Sequence, residues 1–450
     1  MKRKIICLAA AVLLLSGCAA PSSEKVKAVP SPDQEYVSSG KNEKVQAMAV
    51  PRAETEGIPA DDPYGEAREA ALRALIYRME EERSGIGEEH ILIRSYDTDD
   101  IFVQNAAFTY DNALCAMAFI SENREEEARQ ILDAFVYAVK NDRSGKKRIR
   151  NAYMAGDITA ENGARLPGWY DYEKASWFED RSQVGSNVGN TSYAALALLQ
   201  YYNCYGGKKY LKAAENIMNW ILDQCQDQTA GFTGGFEGWE ESRPPVVYPL
   251  TYKSIEHNID AYAAFTQLYA VTGKTKYYKA AESAGKFIQS MYDQKNGYFM
   301  TGTQEDGKTP NRSVVVLDAQ VWCALALGDS FAPYKKALAL VDRMKTKEGG
   351  YPFCVENKNG GWWAEGTAYT ALLFRVLGED AKYEKAMQAL TGIQLDSGLF
   401  PAATTDHLST GIDLFEGSPW EYSTDPHIAP AAWFIMAANG FNPYSFPDIN

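Results

Sequence analysis

From Pro63 onward, apolar residues recur at three- and four-residue spacing, and the periodic segments come in two alternating kinds. The first kind is apolar nearly all round and rich in Ala and Leu, over 110–121, 190–202, 256–271, 316–327, 365–377 and 427–439. A helix without a polar face has to be buried on most sides. The second kind carries Lys and Glu along one face, over 66–82, 124–140, 208–224, 276–293, 333–345 and 381–394. Such a helix turns one stripe inward and leaves the other in water. The alternation predicts an all-α chain of six inner and six outer helices, with 66–82 closing against the last inner helix. That arrangement is an (α/α)6 toroid, a single domain over 63–450. An open solenoid is the competing arrangement, although its repeats are usually shorter and more uniform.

The junctions repeat as well. Gly207, Gly273 and Gly378 stand where inner helices should stop, the position where a left-handed residue ends a helix. After the outer helices a glycine is followed by an aromatic residue, as in Gly231-Phe232, Gly297-Tyr298, Gly350-Tyr351 and Gly398-Leu399-Phe400. The longest connections, 141–189 and 226–255, both lead into inner helices. They are therefore expected at one end of the toroid, where loops on a rigid scaffold usually carry function.

Composition narrows the picture. The chain has 450 residues, 45 Lys and Arg against 59 Asp and Glu, and a net charge of −14. An acidic chain is a poor partner for nucleic acid or for an anionic lipid surface. Lys2, Arg3 and Lys4 precede an apolar run, Ile5 to Leu15, too short to span a bilayer. The run ends Leu15-Ser16-Gly17-Cys18, which resembles the lipobox of bacterial lipoproteins. The resemblance implies a signal over 1–17, lipidation at Cys18 and an extracytoplasmic protein held to the membrane by that anchor alone. Residues 18–62 are rich in Ser, Pro, Lys, Glu and Ala and read as a flexible tether. Of the remaining thiols, Cys115, Cys204, Cys225, Cys323 and Cys354 read mainly as buried and free, with one disulfide, Cys204–Cys225, as the alternative. Four scattered histidines give no zinc spacing, and neither a metal nor a cofactor is implied.

The polar residues of the inner helices gather at their first turns. Asp111, Glu256 with His257, Asn258 and Asp260, Asp318, Glu365 and His427 all stand there. Residues at one level of a ring of helices point toward one place, so the carboxylates are expected to meet at the toroid mouth. Carboxylates and Asn at helix starts also serve as caps, which is the competing reading. Capping does not account for Glu256-His257-Asn258 opening an apolar helix. Crowded carboxylates raise one another's pKa, which suits a general acid at neutral pH. Trp169, Trp177, Trp239, Trp362, Trp363 and Trp420 surround these positions in sequence. Sugar rings stack on such planes, and the same rings could instead fasten the long loops.

The segment from about 66 to 450 resembles the six-hairpin glycosidase superfamily. Within it, Ala364-Glu365-Gly366-Thr367-Ala368-Tyr369 is similar to the Ser-Glu-Gly-x-x-Tyr motif of family 8 glycoside hydrolases, with Ala364 in place of Ser. The resemblance implies Glu365 as the general acid. Two-carboxylate glycoside hydrolysis then takes Asp318 or Asp111 as the base. Glu256 and His257 are expected to position a polysaccharide or oligosaccharide substrate, and the protein is expected to act as a monomer. An epimerase or polysaccharide lyase on the same toroid, and a catalytically silent glycan-binding lipoprotein, are the alternatives.

Overall fold

The computed structural model describes residues 62–83, 89–357, 360–415 and 418–446. The signal segment, Cys18 and almost all of the tether lie outside the described residues. Among the described residues the chain forms twelve α-helices. They are α1 (Gly65–Glu81), α2 (Thr109–Ser121), α3 (Glu125–Lys140), α4 (Val188–Tyr205), α5 (Lys208–Gln224), α6 (Ile255–Thr272), α7 (Thr275–Ser290), α8 (Leu317–Leu327), α9 (Lys336–Met344), α10 (Ala364–Val376), α11 (Asp380–Thr391) and α12 (Ile428–Asn439). The even-numbered helices are the inner set. Each packs on the next, and α12 packs back on α2, so the ring closes. Outer helices α3, α5, α7, α9 and α11 each pack on the inner helix before them, and α1 packs on α12. The closed ring excludes the open solenoid.

Burial follows the two kinds of periodicity. Every residue of α8 is buried, whereas α7 buries a stripe of Tyr277, Ala280, Ala281, Ala284, Phe287 and Ile288. Gly273 and Gly440 end α6 and α12 in the left-handed conformation. The fifth outer helix is shorter than expected. A 3-10 turn that includes Pro333 occupies Gly328–Tyr334, and the α-helix starts only at Lys336.

The connections hold short strands that a helical period could not announce, among them the ribbon Gly235–Trp239 with Val246–Leu250 and the hairpin Leu408–Phe415 with Ser418–Tyr422. One bridge recurs at all six inner helices. The extended residue capping each helix pairs antiparallel with the connection leading to the next. The pairs are Phe108 with Ala152, Asn187 with Gly235, Ser254 with Gly302, Val316 with Cys354, Trp363 with Ala403 and His427 with Tyr96. The last pair carries the pattern across the chain's beginning and end. Backbones approach so closely here that a Cβ at position 302 would lie 2.0 Å from the Lys253 carbonyl oxygen. These bridges hold all six helix starts at one level.

Candidate functional site

Counting from those capping residues shows how the site is built. The second residue after each cap is Tyr110, Gly189, Glu256, Asp318, Glu365 or Ala429, and the sixth is Leu114, Tyr193, Asp260, Trp322, Tyr369 or Trp433. Positions four apart share one helix face. The two sets form successive layers, carboxyls above and mostly aromatics below. In the lower layer the Trp322 ring lies 5.6 Å from both Tyr193 and Tyr369 and 6.4 Å from Trp433. In the upper layer the Tyr110 hydroxyl donates to Glu365 Oε1 at 2.5 Å, and Trp433 Nε1 donates to the same hydroxyl at 3.0 Å. Asp111 sits beside this layer, with Oδ2 3.1 Å from His427 Nε2. The His427 ring stacks on Tyr96 at 3.9 Å.

All four carboxyls are buried, and burial sets the protonation of Glu256, Asp318 and Glu365. Burial pushes Glu365 up to about 8. The Tyr110 hydrogen bond opposes the shift, and the charges of Asp111 and Asp318 add to it. Burial raises Asp318 to about 7 against the hydrogen bonds it accepts from the Ala319 N–H and from Glu256. Glu256 is raised well above the usual carboxylate range, first by burial and then by the charges of Asp318 and Asp260. Glu256 therefore keeps a proton and donates it toward Asp318. At neutral pH the cluster holds protonated and ionised carboxyls side by side.

The Glu365 segment is explained residue by residue. A Cβ at Gly366 would lie 2.6 Å from the Trp363 ring, so only glycine admits that ring beside the carboxyl. The Thr367 hydroxyl accepts from the Tyr351 N–H at 2.9 Å and donates to the Trp363 carbonyl at 2.8 Å. Tyr369 lies one turn below Glu365, its ring 5.6 Å from Trp363. Trp363 stacks on Tyr422, which in turn packs against Trp420. Tyr422 is itself pushed up by burial and by the charges of Glu365, Asp318, Asp111 and Glu256, which places it beside all four carboxyls.

The structure thus brings together Asp111, Glu256, Asp318, Glu365, His427, Trp363 and Trp420. Other expected site residues stand elsewhere. Asn258 is a backbone clamp. Its Oδ1 accepts from the Phe232 N–H at 2.7 Å, and its Nδ2 donates to the Phe232 and Ser254 carbonyls. Asn112 and Gln320 clamp Ile93 and Phe299 in the same way, one helical turn after their own caps. Asp260 lies in the lower layer and accepts from Tyr444 at 3.1 Å. His257 packs so tightly on α4 that a Cβ at Gly189 would lie 2.5 Å from its ring. Trp362 fills the space over Gly350. Trp169 stacks on Phe178 within a loop hairpin, Trp177 is exposed on that hairpin, and Trp239 donates to Glu179 at 3.1 Å. The five described cysteines are free, Cys204 and Cys225 included. The sequence reading missed Tyr96, Tyr110, Tyr369, Tyr422 and Trp433 as site residues. For Tyr110, Tyr369 and Trp433 the signal was the regular offset from each cap, readable only once the caps are known, whereas Tyr96 and Tyr422 lie on the connections and carried none.

Among the described residues, no group of three or more His, Cys, Asp or Glu side chains is arranged to hold a metal ion. No protein-family model matches the chain, and no curated protein matches it in sequence. Solved structures do match. An alpha-amylase from Clostridium perfringens aligns at 13% identity and a TM-score of 0.56, covering 82% of this chain and 98% of its own. A cellobiose 2-epimerase from Bacillus thermoamylovorans aligns at 14% identity and a TM-score of 0.55, with the same coverage. A glycosidase solved in complex with glucose aligns at 12% identity and a TM-score of 0.56, covering 87% of this chain and 100% of its own. At these identities the likeness is one of fold, and together with the closed ring it shows that this chain folds as an (α/α)6 toroid.

Proposed function

We propose that this protein is a glycan-active enzyme that hydrolyses a glycosidic bond with two carboxyl groups. The observation that carries the reading is the state of Glu365: buried, raised to about 8 and tied through Oε1 to Tyr110. With Oε1 engaged as an acceptor, the proton sits on Oε2. From there it passes to the leaving oxygen as the bond breaks. Asp111 is the base. His427 orients one of its oxygens, and the other is buried without a partner and free to hold a water. Asp318 and Glu256 share one negative charge opposite the positive charge that develops on the sugar. The test is reducing-end release by the purified full chain on a polysaccharide panel. Release by the parent and its loss in Glu365→Gln supports the reading. A variant that keeps its turnover removes Glu365 from the mechanism.

A second reading is epimerisation, favoured by the His427–Asp111 pair, which could move a proton at a sugar carbon. It would change a sugar's configuration without releasing a reducing end. The N-terminal pattern ending in Cys18 supports export and lipid anchoring. Cys18→Ala should then yield an unprocessed or soluble protein, and a variant still processed and membrane-bound would refute the anchor.

A further inference from the structure

Besides His427 Nδ1, six buried polar atoms around the carboxyl layer lack a partner in the chain: Asp111 Oδ1, Glu256 Oε1, Tyr96 Oη, Tyr369 Oη, Trp363 Nε1 and Trp420 Nε1. Native proteins leave few such atoms, and each calls for a partner. These six are contiguous. Tyr96 lies within electrostatic reach of Asp111 and Glu365, and Tyr369 within reach of Asp318, Glu365 and Glu256. The Trp363 ring lies 5.3 Å from Tyr422 and the Trp420 ring 5.7 Å from it. By contrast, the amide nitrogens of Asn112, Asn258 and Gln320, at the same level but spaced to meet the loop backbone, are all engaged. Unpartnered atoms are thus gathered on the axial face of the helix starts, although buried ones also occur elsewhere, as at Glu237 Oε1 and Asn311 Nδ2.

The orphaned atoms are of mixed type. The carboxyl oxygens accept, the indole N–H groups donate, and the phenol hydroxyls do both. A ligand that completes them has to donate and accept at neighbouring points, as sugar hydroxyls do. A uronate carboxylate only accepts and would add negative charge beside Asp111 and the Glu256–Asp318 pair. Among the described residues, no lysine or arginine hydrogen-bonds or ion-pairs with Asp111, Glu256, Asp260, Asp318 or Glu365. The buried cations are matched elsewhere, Lys253 with Asp227 and Arg150 with Asp142 and Glu241. No lysine or arginine here would neutralise an anionic sugar.

Building on the glycan reading of this site, we infer that it takes an uncharged polyhydroxyl sugar ring and rejects uronic acids. The test is calorimetric titration of the full chain with a panel of neutral disaccharides and with digalacturonate. At least one neutral disaccharide should bind, and digalacturonate about 100-fold more weakly, the scale of like-charge contact. A charged disaccharide binding as tightly as the best neutral one, or no neutral sugar binding at all, overturns the inference. A second variant guards against a misleading panel. Tyr369→Phe removes only the orphaned hydroxyl. It should weaken the neutral sugar about 10-fold without lowering Tm. Unchanged affinity would show that the hydroxyl waits for no ligand and would overturn the inference as well. The two readings fail separately. Hydrolysis of a uronic-acid polymer would sink this one and spare the hydrolase. Neutral binding without bond cleavage would do the reverse.

Discussion

The two ends of the inner ring are lined by polar side chains of similar kind and treat them in opposite ways. At the far end the C-terminal segment crosses the ring and meets them. Gln200 Nε2 donates to the Pro443 and Ser445 carbonyls at 3.1 and 2.7 Å, and Gln267 Nε2 donates to Pro443 at 3.2 Å. Asn442 donates to the Leu325 carbonyl at 3.0 Å, and the Tyr444 hydroxyl lies 2.6 Å from that of Tyr193 while donating to Asp260. Among the described residues, the Gln200 and Gln267 carbonyl oxygens and Trp322 Nε1 are left over there. At the loop end the carboxyls, phenols and indoles of the axial layer keep several atoms unpaired. Burial alone does not distinguish a working polar cluster from a structural one, because both ends are buried. Completion does: at the far end the chain itself supplies most of the partners, and the loop end is left for something else.

This contrast can be broken by variants at each end. The largest expected effect is at the loop end. Glu365→Gln should lower turnover by about 10²-fold or more while the protein melts near the parent temperature, since the amide still accepts from Tyr110. The reverse is expected at the far end. Tyr444→Ala should cost about 3–5 kcal/mol of stability, read by denaturant unfolding, and leave turnover per folded molecule close to the parent value. Were Tyr444→Ala to abolish turnover in a fully folded sample, the two ends would not be separable. Asn258→Ala comes next. It strips partners from the buried Phe232 backbone and should cost about 1–3 kcal/mol, with little change in sugar affinity. A loss of affinity larger than the loss of stability would return Asn258 to the site.

The smallest effect is a slope. The folded-state value of Glu365, about 8, exceeds its ordinary value of 4.5, and that of Asp318, about 7, exceeds 3.8. Both groups bind protons more tightly in the folded chain. Their contribution to stability is thus fully present below the ordinary values and is lost as pH rises through the folded ones. Tm should fall from about pH 5 to about pH 8, and Glu365→Gln should flatten that fall. An identical slope in parent and variant would show that Glu365 is not protonated in the folded state.

The sequence by itself determined the architecture. Helix periodicity is local, so all-round apolar segments such as 316–327 and striped ones such as 276–293 announced inner and outer helices without any knowledge of their partners. It also located the carboxylates at helix starts, because a residue's place in a turn is a local property. Tertiary structure decided what each of those residues does. Glu256 and Asn258 are two positions apart on one helix, and their opposite fates depend on which side of the ring each faces. Tyr110 meets Glu365 across 255 residues of sequence and Tyr444 meets Asp260 across 184, contacts that exist only because the ring closes. The short strands were invisible for the same reason, since Trp363 pairs with Ala403 and His427 with Tyr96 only once six hairpins have brought their ends to one level. Local patterns set which way a side chain points along its own helix, and only closure of the ring sets what it meets there.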